Sequence, residues 1–156
     1  MIEIEYKNGD ATNPTNKGNK IIVHICNDIG RWGKGFVLAI SKRWKVPESK
    51  YRSWYQSKDN FNLGEVQFVQ VEQDIWIANL IGQHKINKDE NGNAPIRYDA
   101  IEEGLKKVAD FAIDISASIH MPRIGCGLAG GKWEVIEPLI IETISKKDIT
   151  TTVYDF

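Results

Sequence analysis

The chain has 156 residues, a length that fits one domain. Hydrophobic residues make up 42% and charged residues 26%, which excludes the apolar-poor, highly charged composition of a disordered chain. Twenty Lys plus Arg against 21 Asp plus Glu give a net charge of -1, which excludes a long nucleic acid gripped by bulk electrostatics and leaves a small anionic ligand open.

Ile2 to Tyr6 alternates with period two and predicts a half-exposed strand. Lys20 to Cys26 is a nearly continuous apolar run and predicts a buried central strand. Gly33 to Trp44 follows with Phe36, Val37, Ile40 and Trp44 at helical spacing, and a second short helix is expected after Pro47, through Tyr51, Trp54 and Tyr55. Gly64 to Glu72 and Ile75 to Gly82 read as neighbouring strands around Gln73-Asp74. Asn87 to Ala94 is a polar loop.

Tyr98 to Ile115 carries Ile101, Leu105, Val108, Ala109, Ala112 and Ile115 on one helical face. Asp99 and Glu102 lie in its first turn, where the helix dipole favours acids. Ser118 to Ile124 predicts a strand, and a helix opens near Lys132 with Trp133, Ile136, Ile140 and Ile144 on one side. Pro138 inside that helix predicts a kink or a late start. Ile149 to Tyr154 closes as a strand. Strands alternating with amphipathic helices predict an α/β fold, with a mixed sheet covered on both faces. Ligands of such sheets bind where strand ends lead into helices.

No apolar run approaches the ~18–20 residues of a membrane span. Met1 to Lys7 has no basic and apolar signal regions. A cytoplasmic chain with free thiols at Cys26 and Cys126 is expected. These cysteines and His24, His84 and His120 lack zinc-type spacing, so no metal and no cofactor is expected.

Two glycine-rich turns each link a strand to a helix. The first is Asn27-Asp28-Ile29-Gly30-Arg31-Trp32-Gly33-Lys34-Gly35-Phe36, and the second runs from Gly125 through Cys126, Gly127, Leu128, Ala129 and Gly130 to Gly131. Glycine lets backbone approach a ligand closely, and successive amides at a helix start bind an anion without side-chain charge. Two such turns on one sheet edge suit a diphosphate. Neither turn is a Walker A loop. Gly125, Gly127 and Gly130 satisfy the GxGxxG spacing, but too little chain follows for the rest of a dinucleotide-binding βαβ unit. Each turn is also readable as a tight connection.

His24-Ile25-Cys26-Asn27, Trp32-Gly33-Lys34-Gly35-Phe36 and Met121-Pro122-Arg123-Ile124-Gly125-Cys126-Gly127-Leu128-Ala129-Gly130-Gly131-Lys132-Trp133 together resemble a macrodomain. So do Gly9-Asp10-Ala11-Thr12 and Thr152-Val153-Tyr154-Asp155-Phe156. The match runs in order along the chain and is similar to the subgroup holding the ADP-ribose-1″-phosphate phosphatase and the terminal ADP-ribose protein glycohydrolase. It implies a three-layer αβα fold, one macrodomain over residues 1–156, and ADP-ribose or a small derivative as ligand. An ADP-ribosylated protein is a further implied partner.

The resemblance puts Asp10, beside Ala11, at the adenine amino group, and Tyr154 and Phe156 against the ring. Ile124, Gly125, Cys126, Gly127, Leu128, Ala129 and Gly130 match the diphosphate loop. Gly33, Lys34, Gly35 and Phe36 match the loop around the diphosphate and distal ribose, and Asn27 meets that ribose. Bland readings stand beside these: Asp10 as a turn residue, Tyr154 and Phe156 as core, Asn27 as a cap, Trp133 as core packing, and Cys126 as a small buried residue.

The glycohydrolase pattern needs a lysine after the central strand and an aspartate after the Gly-Cys-Gly-Leu motif. Here Gln83 aligns with the lysine, Lys85 is two residues on, and Ala129 stands at the aspartate. The phosphatase pattern has a histidine where His24 stands. Free imidazole titrates near neutrality, so His24 is a candidate for proton transfer, with Asn27 or Asp28 orienting ribose or water. The alternative for His24 is a buried histidine hydrogen-bonded within the sheet. The expected function is ADP-ribose binding with hydrolysis of a derivative such as ADP-ribose 1″-phosphate. The alternatives are a non-catalytic reader, or a hydrolase removing ADP-ribose from macromolecules.

Overall fold

The computed structural model describes residues 1–156. Six strands form one sheet: β1 (Glu5–Asn8), β2 (Asn19–Asn27), β3 (Val66–Glu72), β4 (Ile75–Gln83), β5 (Ala117–Met121) and β6 (Thr151–Asp155). Four α-helices accompany them: α1 (Phe36–Arg43), α2 (Val46–Ser57), α3 (Tyr98–Ile115) and α4 (Trp133–Thr143). No helix is long and apolar enough to cross a membrane.

The strand order is β1-β6-β5-β2-β4-β3. Every neighbouring pair is parallel except β3 with β4, so the sheet is mixed through one antiparallel edge strand. The carboxyl ends of β1, β2, β4, β5 and β6 therefore share one sheet edge. Chain direction across the sheet reverses between β5 and β2, the crevice where open α/β sheets bind ligands.

Alternation along β2 builds three layers. Ile21 and Val23 enter the larger core with α3 and α4, while Ile22 and Cys26 enter the smaller one with α1 and α2. Ile101, Leu105 and Val108 of α3 are completely buried, each burial stabilising by roughly 1.5–3 kcal/mol. Val37, Ile40 and Tyr51 seal the opposite face.

Several boundaries differ from the sequence expectation, among them α1, which starts at Phe36 rather than Gly33 because Gly35 precedes it on a left-handed backbone. β1 is Glu5–Asn8 rather than Ile2 to Tyr6; all four of its residues are exposed, so hydropathy carries no register signal there. β5 stops at Met121 rather than reaching Ile124, because Pro122 has no N–H to give the ladder. β6 starts at Thr151, after a 3-10 turn over Ser145–Lys147. Pro138 lies inside α4, which nonetheless begins at Trp133, so there is no late start.

Candidate functional site

The loops leaving β2 and β5 close over the reversal point of the sheet. The β5–α4 loop turns sharply at Gly125, whose φ of +72° suits glycine. Its ends are drawn together by Gly131 N–H donating to Gly125 O at 2.7 Å, and by Gly130 N–H donating to Gly127 O at 3.1 Å. Ile124 and Ala129 are buried beneath, Cys126 is half-buried, and Leu128 is exposed. The N–H groups of Gly127, Leu128 and Ala129 donate to nothing within the chain, and neither do those of Lys34 and Gly35.

Between the two loops lies a cavity of about 310 Å³, lined by Lys34, Gly35, Phe36, Arg123, Ile124, Gly125, Gly127, Leu128, Ala129 and Gln83, with His24 also contributing; Cys126 and Gly130, expected on the same loop, lie outside this lining. Phe36 and Pro122 also line a second cavity of about 400 Å³, which holds Asp10, Ala11, Tyr154 and Phe156. The two form one elongated cleft. Unpaired amides line one half and an aromatic-and-carboxylate pocket the other. Gly33 sits exposed on the same β2–α1 loop, outside the cavity lining.

At the aromatic end, Asp10 Oδ1 accepts from Thr12 N–H at 2.8 Å and Thr12 Oγ1 at 2.7 Å. Asp10 Oδ2 pairs with Arg43 at 3.2 Å. Burial alone would raise the Asp10 pKa, but the Thr12 and Arg43 bonds outweigh it and hold the carboxyl below its usual value. Tyr154 is almost fully buried, whereas Phe156 is fully exposed at the cleft mouth.

His24 is enclosed. Its ring meets Trp32 edge-on at 5.3 Å and Phe36 at 6.2 Å, and Nε2 lies 2.5 Å from Asn79 Oδ1. Nδ1 has no hydrogen-bond partner in the chain. Burial pushes the His24 pKa down to about 4, against an upward pull from Asn79. The imidazole is therefore neutral at physiological pH, so the near-neutral titration on which its expected role in proton transfer rested is lost to burial.

Asn27 and Asp28 serve the β2–α1 loop. Asn27 Oδ1 accepts from Ile29 N–H and Arg31 N–H, both at 3.1 Å, and from Tyr51 Oη at 2.9 Å. Its Nδ2 donates to Arg31 O at 2.8 Å. The amide aligned with the distal ribose is thus already engaged by its own loop. Asp28 turns to β4, where its Oδ2 lies 2.6 Å from His84 Nδ1 and its Oδ1 accepts from Lys85 N–H at 2.7 Å. Lys85 borders a neighbouring cavity rather than the central one.

Arg123, His84 and the Arg43 that pairs with Asp10 escaped the sequence reading as individual site residues. Arg123 lines the central cavity while bonding Asp155 through Nε at 2.6 Å and Nη2 at 3.0 Å. Its guanidinium lies 5.2 Å from both the Tyr6 and Trp133 rings. Trp133, half-buried, gives its indole N–H to Tyr6 at 2.9 Å, so its place is this surface cluster as well as the core margin. His84 had no sequence pattern at all; its only signal is spatial, the Asp28 carboxylate 56 residues away.

No family model matches the chain. It is 33% identical over 163 residues to the chromodomain-helicase-DNA-binding protein 1-like of Mus musculus, covering 98% of this chain but only 18% of that protein's length. It is 27% identical to an ADP-ribose 1″-phosphate phosphatase of Candida albicans, covering 89% of this chain and 92% of the relative. Among solved structures, a protein of unknown function from Bacteroides thetaiotaomicron is 61% identical with a TM-score of 0.98, covering 99% of both chains. A macrodomain protein from Streptomyces coelicolor is 52% identical with a TM-score of 0.89, again covering 99% of both.

Proposed function

The chain belongs to the macrodomain family, and on that premise we propose that its cleft binds ADP-ribose and hydrolyses a small derivative of it, ADP-ribose 1″-phosphate. One observation carries the binding reading. The cavity between two glycine loops with five unpaired amides continues, through Phe36 and Pro122, into a pocket holding Asp10, Tyr154 and Phe156. A diphosphate suits the first half, because backbone dipoles hold anions without net charge. Adenine suits the second, with a carboxylate for its amino group and aromatic rings for its faces. Arg123, fixed by Asp155, adds one oriented cation beside the diphosphate.

Hydrolysis of the 1″-phosphate adds water to phosphorus, breaks the P–O1″ bond, and leaves ADP-ribose and inorganic phosphate. Donors at the ribose end of the cleft would stabilise charge developing on the phosphoryl oxygens. His24, a neutral ring packed between Trp32 and Phe36, shapes the cavity wall rather than moving a proton, and Asp28 fixes the strand exit through His84 and Lys85 N–H. The similarity to the Candida phosphatase supports this chemistry, and the presence of free thiols fits a reducing, cytoplasmic setting.

A second reading is a non-catalytic reader of free or protein-linked ADP-ribose. Ala129 at the aspartate position and a neutral, enclosed His24 favour it. Phosphate release from ADP-ribose 1″-phosphate separates the two. The enzymatic reading expects turnover that falls in His24→Ala. Binding of ADP-ribose without phosphate release supports the reader. Equal turnover in wild type and His24→Ala removes His24 from the reaction.

A further inference from the structure

β4 runs past the cleft. Gln83 lines the central cavity, and the next residue, His84, lines another of about 400 Å³. The β2–α1 loop spans the same boundary, with Arg31 on the outer side and Lys34 on the inner. The outer cavity thus adjoins the ribose end of the cleft.

Its charge is uneven. Arg31, Lys85 and Lys88 line it, and none has a carboxylate partner within ion-pair distance. Arg97 also lines it, but turns Nη1 onto the carbonyls of Ala94, Pro95 and Ile96. Of the two acids present, Asp89 is engaged by the Asn91 and Asn93 amides, leaving Glu90. The lining therefore carries four cations against two carboxylates, and three of the cations have no hydrogen-bond partner in the chain, although the whole chain is near neutral.

One side chain here is held in a set orientation. His84 Nδ1 lies 2.6 Å from Asp28 Oδ2, and the same carboxylate accepts from Lys85 N–H at 2.7 Å. The Asp28 N–H donates to Gln83 O at 3.1 Å. Asp28 is largely shielded while His84 is 43% exposed. Asp28 thus fixes both the ring and the strand exit, and the other ring nitrogen makes no hydrogen bond in the chain.

We propose that this outer cavity is a subsite for a phosphate group carried on the distal ribose, held by Arg31, Lys85 and His84, with Asp28 as the positioning residue for His84. The inference rests on the ADP-ribose reading and names what distinguishes the preferred ligand. Convergent cations and an oriented imidazole recognise a phosphate through charge-assisted hydrogen bonds, which are stronger than neutral ones.

The test is calorimetric titration with ADP-ribose and with its C1″-phosphonate analogue, which carries the anion but no hydrolysable P–O bond. Wild type is expected to bind the phosphonate about tenfold more tightly. Arg31→Ala/Lys85→Ala is expected to bring that ratio towards one with ADP-ribose affinity little changed. Asp28→Asn should lower the ratio selectively, which a merely structural defect would not do. Equal wild-type affinities for the two ligands, or a ratio that survives the double substitution, overturns the subsite. Binding of neither ligand overturns the ADP-ribose reading itself.

Discussion

His120 Nδ1 lies 2.7 Å from the Tyr154 hydroxyl, and the opposite ring nitrogen lies 2.8 Å from Ser118 Oγ. The imidazole is fully buried, so this chain ties β5 to β6 directly under the pocket that Tyr154 lines. Tyr154→Phe keeps the ring and strands a buried nitrogen. It is expected to cost about 1–3 kcal/mol in denaturant unfolding while leaving ADP-ribose affinity nearly unchanged. Tyr154→Ala also removes the ring, and titration should show clearly weaker binding.

Stability should fall as pH drops from about 6.5 towards about 4. Burial lowers the pKa of both His24 and His120 to about 4 from 6.5. The unfolded chain therefore takes up protons first, and the neutral-histidine contribution, present above 6.5, is lost through that window. Each site contributes about 3 kcal/mol at most. Asp10 and Asp155, held below 3.8, contribute above that value and lose their share only at still lower pH. Urea unfolding at stepped pH should show the histidine-dependent slope, and His24→Asn should reduce it. A flat profile between pH 6.5 and 4.5 would refute this account.

Gly125 and Gly127 should part company. A Cβ on Gly125 would sit 2.5 Å from Ile96 Cδ1 on a left-handed backbone, so Gly125→Ala is expected to lose about 1–3 kcal/mol. A Cβ on Gly127 meets nothing within 4 Å, so its stability should stay within about 0.5 kcal/mol. If the diphosphate lies against this loop, Gly127→Ala still weakens ADP-ribose by about tenfold. Thermal unfolding and titration of the two variants check both halves. Wild-type affinity in Gly127→Ala would move the diphosphate elsewhere.

Asp10→Asn tests the adenine end. It keeps the size but gives up one acceptor and the Arg43 pair, which is partly exposed and adds little stability. ADP-ribose binding should weaken by roughly tenfold, since a buried ligand amino group loses its charged acceptor. Stability should move by less than about 1 kcal/mol. An unchanged affinity, measured by competition with a fluorescent ADP-ribose, would remove Asp10 from adenine recognition.

The helices were legible because their periodicity reports burial directly. Tyr98–Ile115 has the same bounds in the sequence reading and the structure, since the buried stripe through Ile101, Leu105 and Val108 leaves one solution. The edge strand β1 was not, because its exposed residues carry no burial signal. Both glycine turns could be read as backbone devices. The fate of side chains at their margins could not. His24 sits in an apolar run that says only that it is buried. That Asn79 lies across from it depends on β2 pairing with β4, where the two residues are in register. The Asp28–His84 pair likewise exists only once β2 and β4 end side by side.

The most direct test of the central claim is calorimetric titration of the wild-type chain with ADP-ribose. One site per chain, with affinity that falls in both Asp10→Asn and Gly127→Ala, is the predicted result. Absence of binding at millimolar ADP-ribose would contradict it.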